Sequence, residues 1–257
     1  MSIDSRAAID PSARIGKNVT IGPFSVIGPH VEIGDDSWIG PHVVINGPTR
    51  IGRENRIFQF ASIGEIPQDK KFRGEDSTLE IGDRNTIREN VTINRGTADG
   101  GGVTKIGNDN WLMAYIHIAH DCIVGNHTIF ANAASLAGHV TIDDYAILGG
   151  FTLVHQFCTI GTHSFCGMGS AISKDVPPYT MVNGNPAQPH GLNTEGLKRH
   201  QFSKDAQLAL REAYKIIYRS GFTTQEALTQ MNTLAQSFPE VANLQKFIQK
   251  SQRGIVR

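Results

Sequence analysis

The sequence predicts a parallel β-helix over residues 1–190 and a small helical domain over residues 191–257, and two periodicities predict it. Isoleucine falls at residue 3 and at every sixth residue after it as far as Ile63. Neither the 3.6-residue period of a helix nor the two-residue period of a strand buries one side chain in six. A chain that turns a corner after each short strand does, and three strands close a triangular coil in which residues 18 apart stack.

The two remaining features of each hexad agree with this coil. Glycine follows most of the isoleucines, as at Gly16, Gly22 and Gly34, and we expect it to supply a positive φ at each corner. The fifth slot is small or β-branched, as at Ala13 and Val19. We expect this slot to be a second inward position, where close packing limits the volume available.

The period is interrupted twice, and it then runs in a new phase from Ile106 to Ile172. The first interruption, residues 64–74, is polar and contains Pro67. It is either a surface excursion or a functional loop, in which Asp69 and Lys71 can grip a hydroxyl and a phosphate. The second, residues 96–102, is glycine-rich and predicts only a flexible bulge.

After a hinge rich in proline, glycine and asparagine (residues 176–186), the period becomes helical. Ser203 is a predicted N-cap for a helix that ends at Gly221. Thr223 or Thr224 begins a second helix that runs through Leu228, Met231 and Leu234, and Pro239 lies in the first turn of a third. We expect this domain to cover the open end of the β-helix, whose last strand would otherwise expose unpaired backbone groups.

Composition limits the possible classes of protein. The 24 Lys/Arg and 24 Asp/Glu cancel, and we expect no nucleic-acid partner. The charge is unevenly divided, because residues 191–257 carry 10 Lys/Arg against 5 Asp/Glu. This basic tail is either a solvated helical surface or a docking face for an acidic or phosphate-bearing partner.

The sequence also predicts the cellular compartment. No run of eighteen apolar residues occurs, so no transmembrane segment is expected. The repeat begins at Ile3, which leaves no room for a signal peptide. Three cysteines occupy positions of the six-residue repeat, and we expect them to be small core residues: Cys122, Cys158 and Cys166. We therefore expect a cytoplasmic protein.

Four histidines are candidates for chemistry, and stacking by 18 gathers them near one corner over three successive coils: His117, His120, His139 and His155. The same stacking aligns His120 with Gly138 and Gln156. A histidine can act as general base for a hydroxyl nucleophile. A glycine one coil away offers a backbone N–H to a developing oxyanion, because no side chain blocks the approach. Zinc binding is the alternative, but no acidic residue or further histidine completes a metal shell in the sequence.

Four motifs together resemble the acyl-[acyl-carrier-protein]–UDP-N-acetylglucosamine O-acyltransferases of lipid A synthesis. The resemblance spans essentially the whole chain. The motifs are Ile116-His117-Ile118-Ala119-His120-Asp121-Cys122, Pro67-Gln68-Asp69-Lys70-Lys71, Gly191-Leu192-Asn193-Thr194-Glu195-Gly196-Leu197-Lys198-Arg199 and Ala213-Tyr214-Lys215-Ile216-Ile217-Tyr218-Arg219-Ser220-Gly221.

The resemblance implies a left-handed β-helix and a homotrimer with active sites between subunits. It implies that His120 deprotonates the 3-hydroxyl of UDP-N-acetylglucosamine, which attacks a (R)-3-hydroxyacyl thioester carried on the phosphopantetheine of acyl carrier protein. Gly138 matches the oxyanion donor, and Asp121 either orients His120 or points away. No metal or other cofactor is implied. The implied substrate-binding residues are Gln68, Asp69, Lys71, His117, His139, His155, Gln156, Asn193, Glu195 and Arg199.

Two positions depart from the family pattern. A second arginine commonly follows the one that matches Arg199, and here it is His200. Met168 stands where members with longer acyl chains have glycine. Methionine would close the acyl groove, so we expect a ten-carbon donor; the alternative is that Met168 only packs between subunits.

Two other functions fit the repeat itself. A non-catalytic β-helix module with a docking tail would lose no activity when His120 is changed. A hexapeptide N-acyltransferase acting on an amino sugar nucleotide would prefer a 3-amino acceptor to a 3-hydroxy acceptor.

Overall fold

A computed structural model describes residues 2–257 and contains the short strands that the six-residue period predicts. The strands are β1 (Ser2–Ile3), β2 (Ala8–Ile9), β3 (Arg14–Ile15), β4 (Thr20–Ile21), β5 (Val26–Ile27), β6 (Val31–Ile33), β7 (Trp38–Ile39), β8 (Val44–Ile45), β9 (Thr49–Ile51), β10 (Arg56–Ile57), β11 (Ser62–Glu65), β12 (Thr78–Ile81), β13 (Thr86–Ile87), β14 (Thr92–Asn94), β15 (Val103–Ile106), β16 (Trp111–Leu112), β17 (His117–Ile118), β18 (Ile123–Val124), β19 (Ile129–Phe130), β20 (Ser135–Leu136), β21 (Thr141–Ile142), β22 (Ile147–Leu148), β23 (Leu153–Val154), β24 (Thr159–Ile160), β25 (Phe165–Cys166), β26 (Ala171–Ile172), β27 (Thr180–Asn183) and β28 (Gln188–Leu192).

The strands form three sheets, which are the faces of a triangular prism. Face 1 has the order β1-β4-β7-β10-β13-β16-β19-β22-β25-β27-β28, face 2 the order β2-β5-β8-β11-β14-β17-β20-β23-β26, and face 3 runs from β3 to β24 through every third strand. Neighbouring strands are parallel and keep equivalent residues in register, so that Ile57 pairs with Ile39 and Ile87. Within residues 2–257, only the last pair, β27 and β28, is antiparallel. The protein is therefore a parallel β-helix.

The interior is filled by the two columns that the repeat predicts. The isoleucine column is buried from Ile21 onward, with Ile21, Ile39 and Ile57 at 1% exposure or less, whereas Ile3 in the first coil is exposed. The fifth slot is buried as well, as Val19 and Ser25 show. All three cysteines are free and buried, which confirms that they are core residues.

The corners correct the expected role of glycine. The positive φ falls three residues after most inward isoleucines, on residues such as Asn18 (φ 55°) and Phe24 (φ 60°), and not on Gly16, Gly22 or Gly34. Glycine follows the isoleucine for a different reason. A Cβ on Gly34 would lie 2.5 Å from the Gly52 carbonyl carbon in the next coil. The close approach of stacked backbones therefore requires glycine there.

The helices are α1 (Thr194–Arg199), α2 (Lys204–Tyr218), α3 (Thr224–Gln230), α4 (Asn232–Ser237) and α5 (Pro239–Lys250). The three predicted helices are present. The Ser203 side chain accepts from Ala206 N, Thr223 forms a capping box with Glu226, and Pro239 opens α5. The short helix α1 is additional, and the second predicted helix, expected to run through Leu234, is divided at Met231 into α3 and α4. The last strand ends at Leu192, two residues beyond the predicted domain boundary, which itself stays a prediction.

The chain end returns to the prism. Asp175 N donates to Gly254 O, Val256 N donates to Asp175 O, and Val256 packs into the prism core. Across residues 2–257, no helix combines the length and the apolar character that crossing a membrane demands.

Candidate active site

Most of the predicted chemistry lies where the chain passes from face 2 to face 3, which we call the His120 corner. Both interruptions of the repeat leave from it. The first loop (residues 66–77) joins β11 to β12, and the second loop (residues 95–102) joins β14 to β15. His120, Gly138 and Gln156 then occupy the same corner in the next three coils, as stacking by 18 predicts. The repeat therefore places two irregular loops beside one histidine cluster.

His120 is paired with the residue that follows it. Asp121 has a φ of 59°, and its carboxylate turns back to lie 2.7 Å from His120 Nδ1. The Asp121 side chain is 1% exposed and that of His120 is 14% exposed. Because a carboxylate only accepts, the imidazole Nδ1–H donates to it, which leaves the Nε2 lone pair free to take a proton. The alternative in which Asp121 points away is wrong.

Gly138 leaves room for this imidazole. A Cβ at Gly138 would lie 2.5 Å from His120 Cε1, so any side chain here would displace the ring. Among the described residues, the Gly138 N–H has no backbone acceptor. The same slot needs no backbone hydrogen bond in other coils, which is why proline can occupy it, at Pro11, Pro23, Pro29 and Pro41. A free N–H beside an imidazole is the arrangement that stabilises an oxyanion formed by a deprotonated nucleophile.

The other predicted histidines surround this pair. His139 stacks on Phe157 with ring centroids 4.4 Å apart and meets the His120 ring edge-on at 5.2 Å. His117 Nδ1 is 2.8 Å from Thr92 Oγ1, and burial, together with the nearby His120, lowers the pKa of His117. His155 and Gln156 are exposed on the outer side of the corner. The cluster is therefore a partly buried surface of imidazole rings.

A metal remains the competing use of this cluster, because the structure brings the carboxylate of Asp121 close to His120 and His139. One ligand atom each from His120, Asp121 and His139 lies within 4.8 Å of the others. The Asp121 oxygens already accept from His120 Nδ1, Thr97 N and Thr97 Oγ1. A cation would have to displace these hydrogen bonds, so the arrangement favours a general base over a metal ligand set.

The two loops enclose a cavity of about 720 Å³. Its lining includes Asp69, Lys71 and Thr97, and Gln68 is exposed beside it. Glu75 joins the loops, since its carboxylate accepts from Arg73 N at 2.7 Å and from Ala98 N at 3.4 Å. The loop that carries Asp69 and Lys71 therefore opens beside the His120 corner.

The second loop is not the flexible bulge that its glycines predict. A 3₁₀ turn covers Ala98–Gly100, and Gly102 N and Gly100 N both donate to Thr97 O. Thr97 holds the Asp121 carboxylate through two hydrogen bonds. Sequence reasoning missed Thr97 because its partner is 24 residues away and the repeat gives no register across an ejected loop.

Two other groups of predicted residues lie at different corners of the same chain. Asn193 caps α1 and donates to His163 O, where face 3 passes to face 1. Glu195 forms an ion pair with Lys198, and Arg199 is exposed nearby on the same helix. Met168, which is 77% exposed, lies where face 1 passes to face 2. One chain alone therefore does not bring these residues to His120.

His200 has a structural contact that its place after Arg199 did not predict. Its ring meets the rings of Tyr145 and His163 edge-on, at 4.8 and 4.7 Å. Those two rings belong to a stacked column along the corner between faces 3 and 1. His200 therefore seats the end of α1 on the prism, where the family pattern has an arginine.

Comparison with known proteins places the chain in a family. A family model for domain 2 of UDP-N-acetylglucosamine O-acyltransferase matches residues 175–256, and a bacterial transferase hexapeptide model of six repeats matches residues 104–138. The acyl-[acyl-carrier-protein]–UDP-N-acetylglucosamine O-acyltransferase of Stutzerimonas stutzeri is 56% identical over 255 residues, 99% of each chain. The one from Pseudomonas aeruginosa is also 56% identical, again over 99% of each chain.

Solved structures agree with these sequence relatives. The UDP-N-acetylglucosamine O-acyltransferase of Moraxella catarrhalis superposes with a TM-score of 0.98 at 47% identity, covering 100% of each chain. The UDP-N-acetylglucosamine acyltransferase of Francisella novicida superposes with a TM-score of 0.97 at 44% identity, covering 99% of this chain and 94% of that one. The chain is an acyltransferase, and it belongs to the acyl-[acyl-carrier-protein]–UDP-N-acetylglucosamine O-acyltransferase family.

Proposed function

We propose that this protein transfers a (R)-3-hydroxyacyl group from acyl carrier protein to the 3-hydroxyl of UDP-N-acetylglucosamine, the first step of lipid A biosynthesis. The observation that carries the proposal is the Asp121–His120 pair, whose imidazole lies against Gly138, a residue with an N–H that has no backbone acceptor among the described residues. This arrangement suits attack of a hydroxyl on a thioester. The names of the relatives supply the donor and acceptor classes.

Three residues have defined roles in the steps of the transfer. His120 Nε2 takes the proton of the acceptor hydroxyl while the oxygen of that hydroxyl bonds to the carbonyl carbon of the thioester. The carbonyl electrons move to the oxygen, which accepts a hydrogen bond from Gly138 N–H. The C–S bond then breaks, the ester forms, and the imidazolium returns its proton to the phosphopantetheine thiolate of acyl carrier protein. Asp121 holds the imidazole tautomer throughout, and no metal or further cofactor takes part.

Substrate binding uses charges and aromatic edges around this base. Asp69 and Lys71 of the first loop bind the sugar and its phosphates, with Gln68 beside them. His117, His139, His155 and Gln156 form the wall of the cleft. The basic tail docks acyl carrier protein, since 10 Lys/Arg against 5 Asp/Glu favour an acidic partner.

The complete site requires a homotrimer of left-handed β-helices. Asn193, Glu195, Arg199 and Met168 lie at corners other than that of His120, so neighbouring subunits are needed to bring them to it. Met168 then limits the acyl chain to about ten carbons. The three free cysteines fit a reducing cytoplasm.

The His120→Ala variant tests the function. Loss of a positioned base should lower kcat by roughly a hundred- to ten-thousand-fold, while the affinity for UDP-N-acetylglucosamine, measured separately by calorimetry, stays near that of the wild type. His30→Ala is the matched control, because His30 is an exposed histidine at the same corner several coils away.

Near-normal turnover of His120→Ala would refute the assignment and favour a non-catalytic module. A preference for a 3-amino over a 3-hydroxy sugar nucleotide would instead show an N-acyltransferase. Both acceptors are therefore assayed with the same hydroxyacyl carrier-protein donors.

A further inference from the structure

We propose that Thr97, in the second loop, is a positioning residue that fixes the Asp121 carboxylate and, through it, the imidazole of His120. The inference rests on the proposed function, in which His120 is the general base. It assigns a role to the glycine-rich interruption, which the resemblance leaves without one.

Thr97 contacts both oxygens of the Asp121 carboxylate. Its backbone N–H donates to Oδ1 at 2.8 Å, and its hydroxyl donates to Oδ2 at 2.7 Å. Oδ2 is also the oxygen that accepts from His120 Nδ1. Thr97 is 4% exposed. The two hydrogen bonds fix the plane of the carboxylate and leave one direction for the imidazole to approach.

The chemistry of the site explains why two donors are needed. Among the described residues, no lysine or arginine pairs with Asp121; its ionisable neighbours are the rings of His120 and His139, the latter with Nε2 3.8 Å from Oδ2. A buried carboxylate without a lysine or arginine partner needs hydrogen bonds in place of the water it has lost. Thr97 supplies them at no cost in net charge, so that the carboxylate can hold the Nδ1 proton.

The loop is shaped to bring Thr97 there. A Cβ on Gly100 would overlap the Asp121 carboxylate, so the turn that follows Thr97 packs directly on that group. The Asp121 backbone is fixed separately, since Asp121 N donates to Thr104 Oγ1 at 2.8 Å. The loop also contacts the first loop through the Ala98–Glu75 hydrogen bond. A side chain that positions the base therefore sits beside the loop proposed to bind the sugar nucleotide.

The Thr97→Val variant tests the role, because it removes the hydroxyl and keeps the shape. We expect kcat to fall on the order of ten- to a hundredfold, as a misplaced catalytic group does, with little change in KM for either substrate. Thr97→Ser restores the hydroxyl and should recover most of kcat. Thr152→Val is the matched control: Thr152 is equally buried, but its hydroxyl donates to Gly167 O at another corner. It should lose stability without this loss of kcat.

A double-mutant cycle separates positioning from folding. If Thr97 acts through the carboxylate, Thr97→Val should lower kcat no further in an Asp121→Asn background. The positioning role would be overturned if the two decreases in kcat multiplied in the double variant. It would also be overturned if Thr97→Val and Thr152→Val lowered kcat equally. Unchanged kcat in Thr97→Val with a large loss in His120→Ala would overturn this inference alone. Normal turnover in His120→Ala would overturn the proposed function itself.

Discussion

At the scale of single residues, the candidate site differs from the rest of the repeated backbone in only a few side chains. The corner position with positive φ is held by Asn18 or Phe24 in early coils, where it carries no chemistry, and by Asp121 beside His120. The backbone conformation of Asp121 sets the direction in which its side chain leaves the corner, and two hydrogen bonds from Thr97 fix the position of its carboxylate. Gly138 completes the set, because it is the residue against which the imidazole rests.

Gly138→Ala is expected to damage turnover more than binding. The added Cβ would displace the imidazole from its place above the glycine and crowd the free N–H, so kcat should fall about a hundredfold. Steady-state kinetics with both substrates will measure it. Gly150→Ala is the control for folding, since its Cβ would lie 3.4 Å from the nearest atom, Asn132 O. A wild-type kcat in Gly138→Ala would mean that neither the ring position nor the N–H limits the reaction.

At the scale of elements, α1 is held on the prism by aromatic packing and by one cap. Asn193 bonds to the carbonyl of His163, and His200 at the other end contacts the ring of the same residue. His163 is stacked between Tyr145 and Tyr179. Burial, with the nearby His200, lowers the pKa of His163 to about 4. The packing of α1 on the prism therefore depends on His163 being neutral.

Acid should weaken this part of the fold. Between about pH 6.5, the ordinary value for histidine, and pH 4, the unfolded chain binds a proton at residue 163 that the folded chain refuses. The free energy of unfolding therefore falls as the pH falls through this window. Denaturant unfolding at fixed protein concentration, compared with His163→Phe, isolates the effect, because the phenylalanine keeps an aromatic ring in the stack.

The comparison between variants is needed because Asp143 acts in the opposite direction. Burial and Asp144 raise the pKa of Asp143 to about 6, so its contribution to stability grows as the pH falls toward about 4. The contribution of Asp143 is the same in the wild type and in His163→Phe, so it cancels when their free energies of unfolding are subtracted. Identical pH dependence in wild type and His163→Phe would contradict the histidine assignment.

The elements also show how far the sequence carries a prediction. The hexad period predicted the faces, the inward columns and the stacking of His120 on Gly138, because a coil of fixed length converts sequence spacing into position. It could not predict that Thr97 meets Asp121, because an ejected loop has no fixed spacing. Helix α1 was missed, and so was the break at Met231 that divides α3 from α4, because six residues are too few to show an amphipathic period.

At the scale of the whole molecule, one chain leaves an apolar surface that a monomer would expose to water. Phe151 is 66% exposed and Phe157 is 52% exposed, and further large apolar side chains point outward, among them Trp111, Tyr115, Ile123 and Leu153. Exposed apolar groups in such number are typical of an interface. The candidate residues are likewise divided among three corners. Both facts are satisfied together if three prisms associate side by side.

The position of Met168 allows the shared site and the acyl-chain length to be tested together. Met168→Gly should shift the preferred donor from a chain of about ten carbons toward about fourteen, because removing the side chain lifts a steric block. In the proposed trimer, the Met168 that meets a given chain belongs to the neighbour of the subunit that supplies His120. Wild-type protein co-expressed with a His120→Ala/Met168→Gly double variant should therefore acquire activity on long donors, although neither protein has it alone. Isolation of the mixed trimers through two affinity tags, followed by assays with both donor lengths, measures this. If the mixed trimers accept only the shorter donor, Met168 does not act on a neighbour's site, and a fully active monomer in sedimentation would refute the trimer as well.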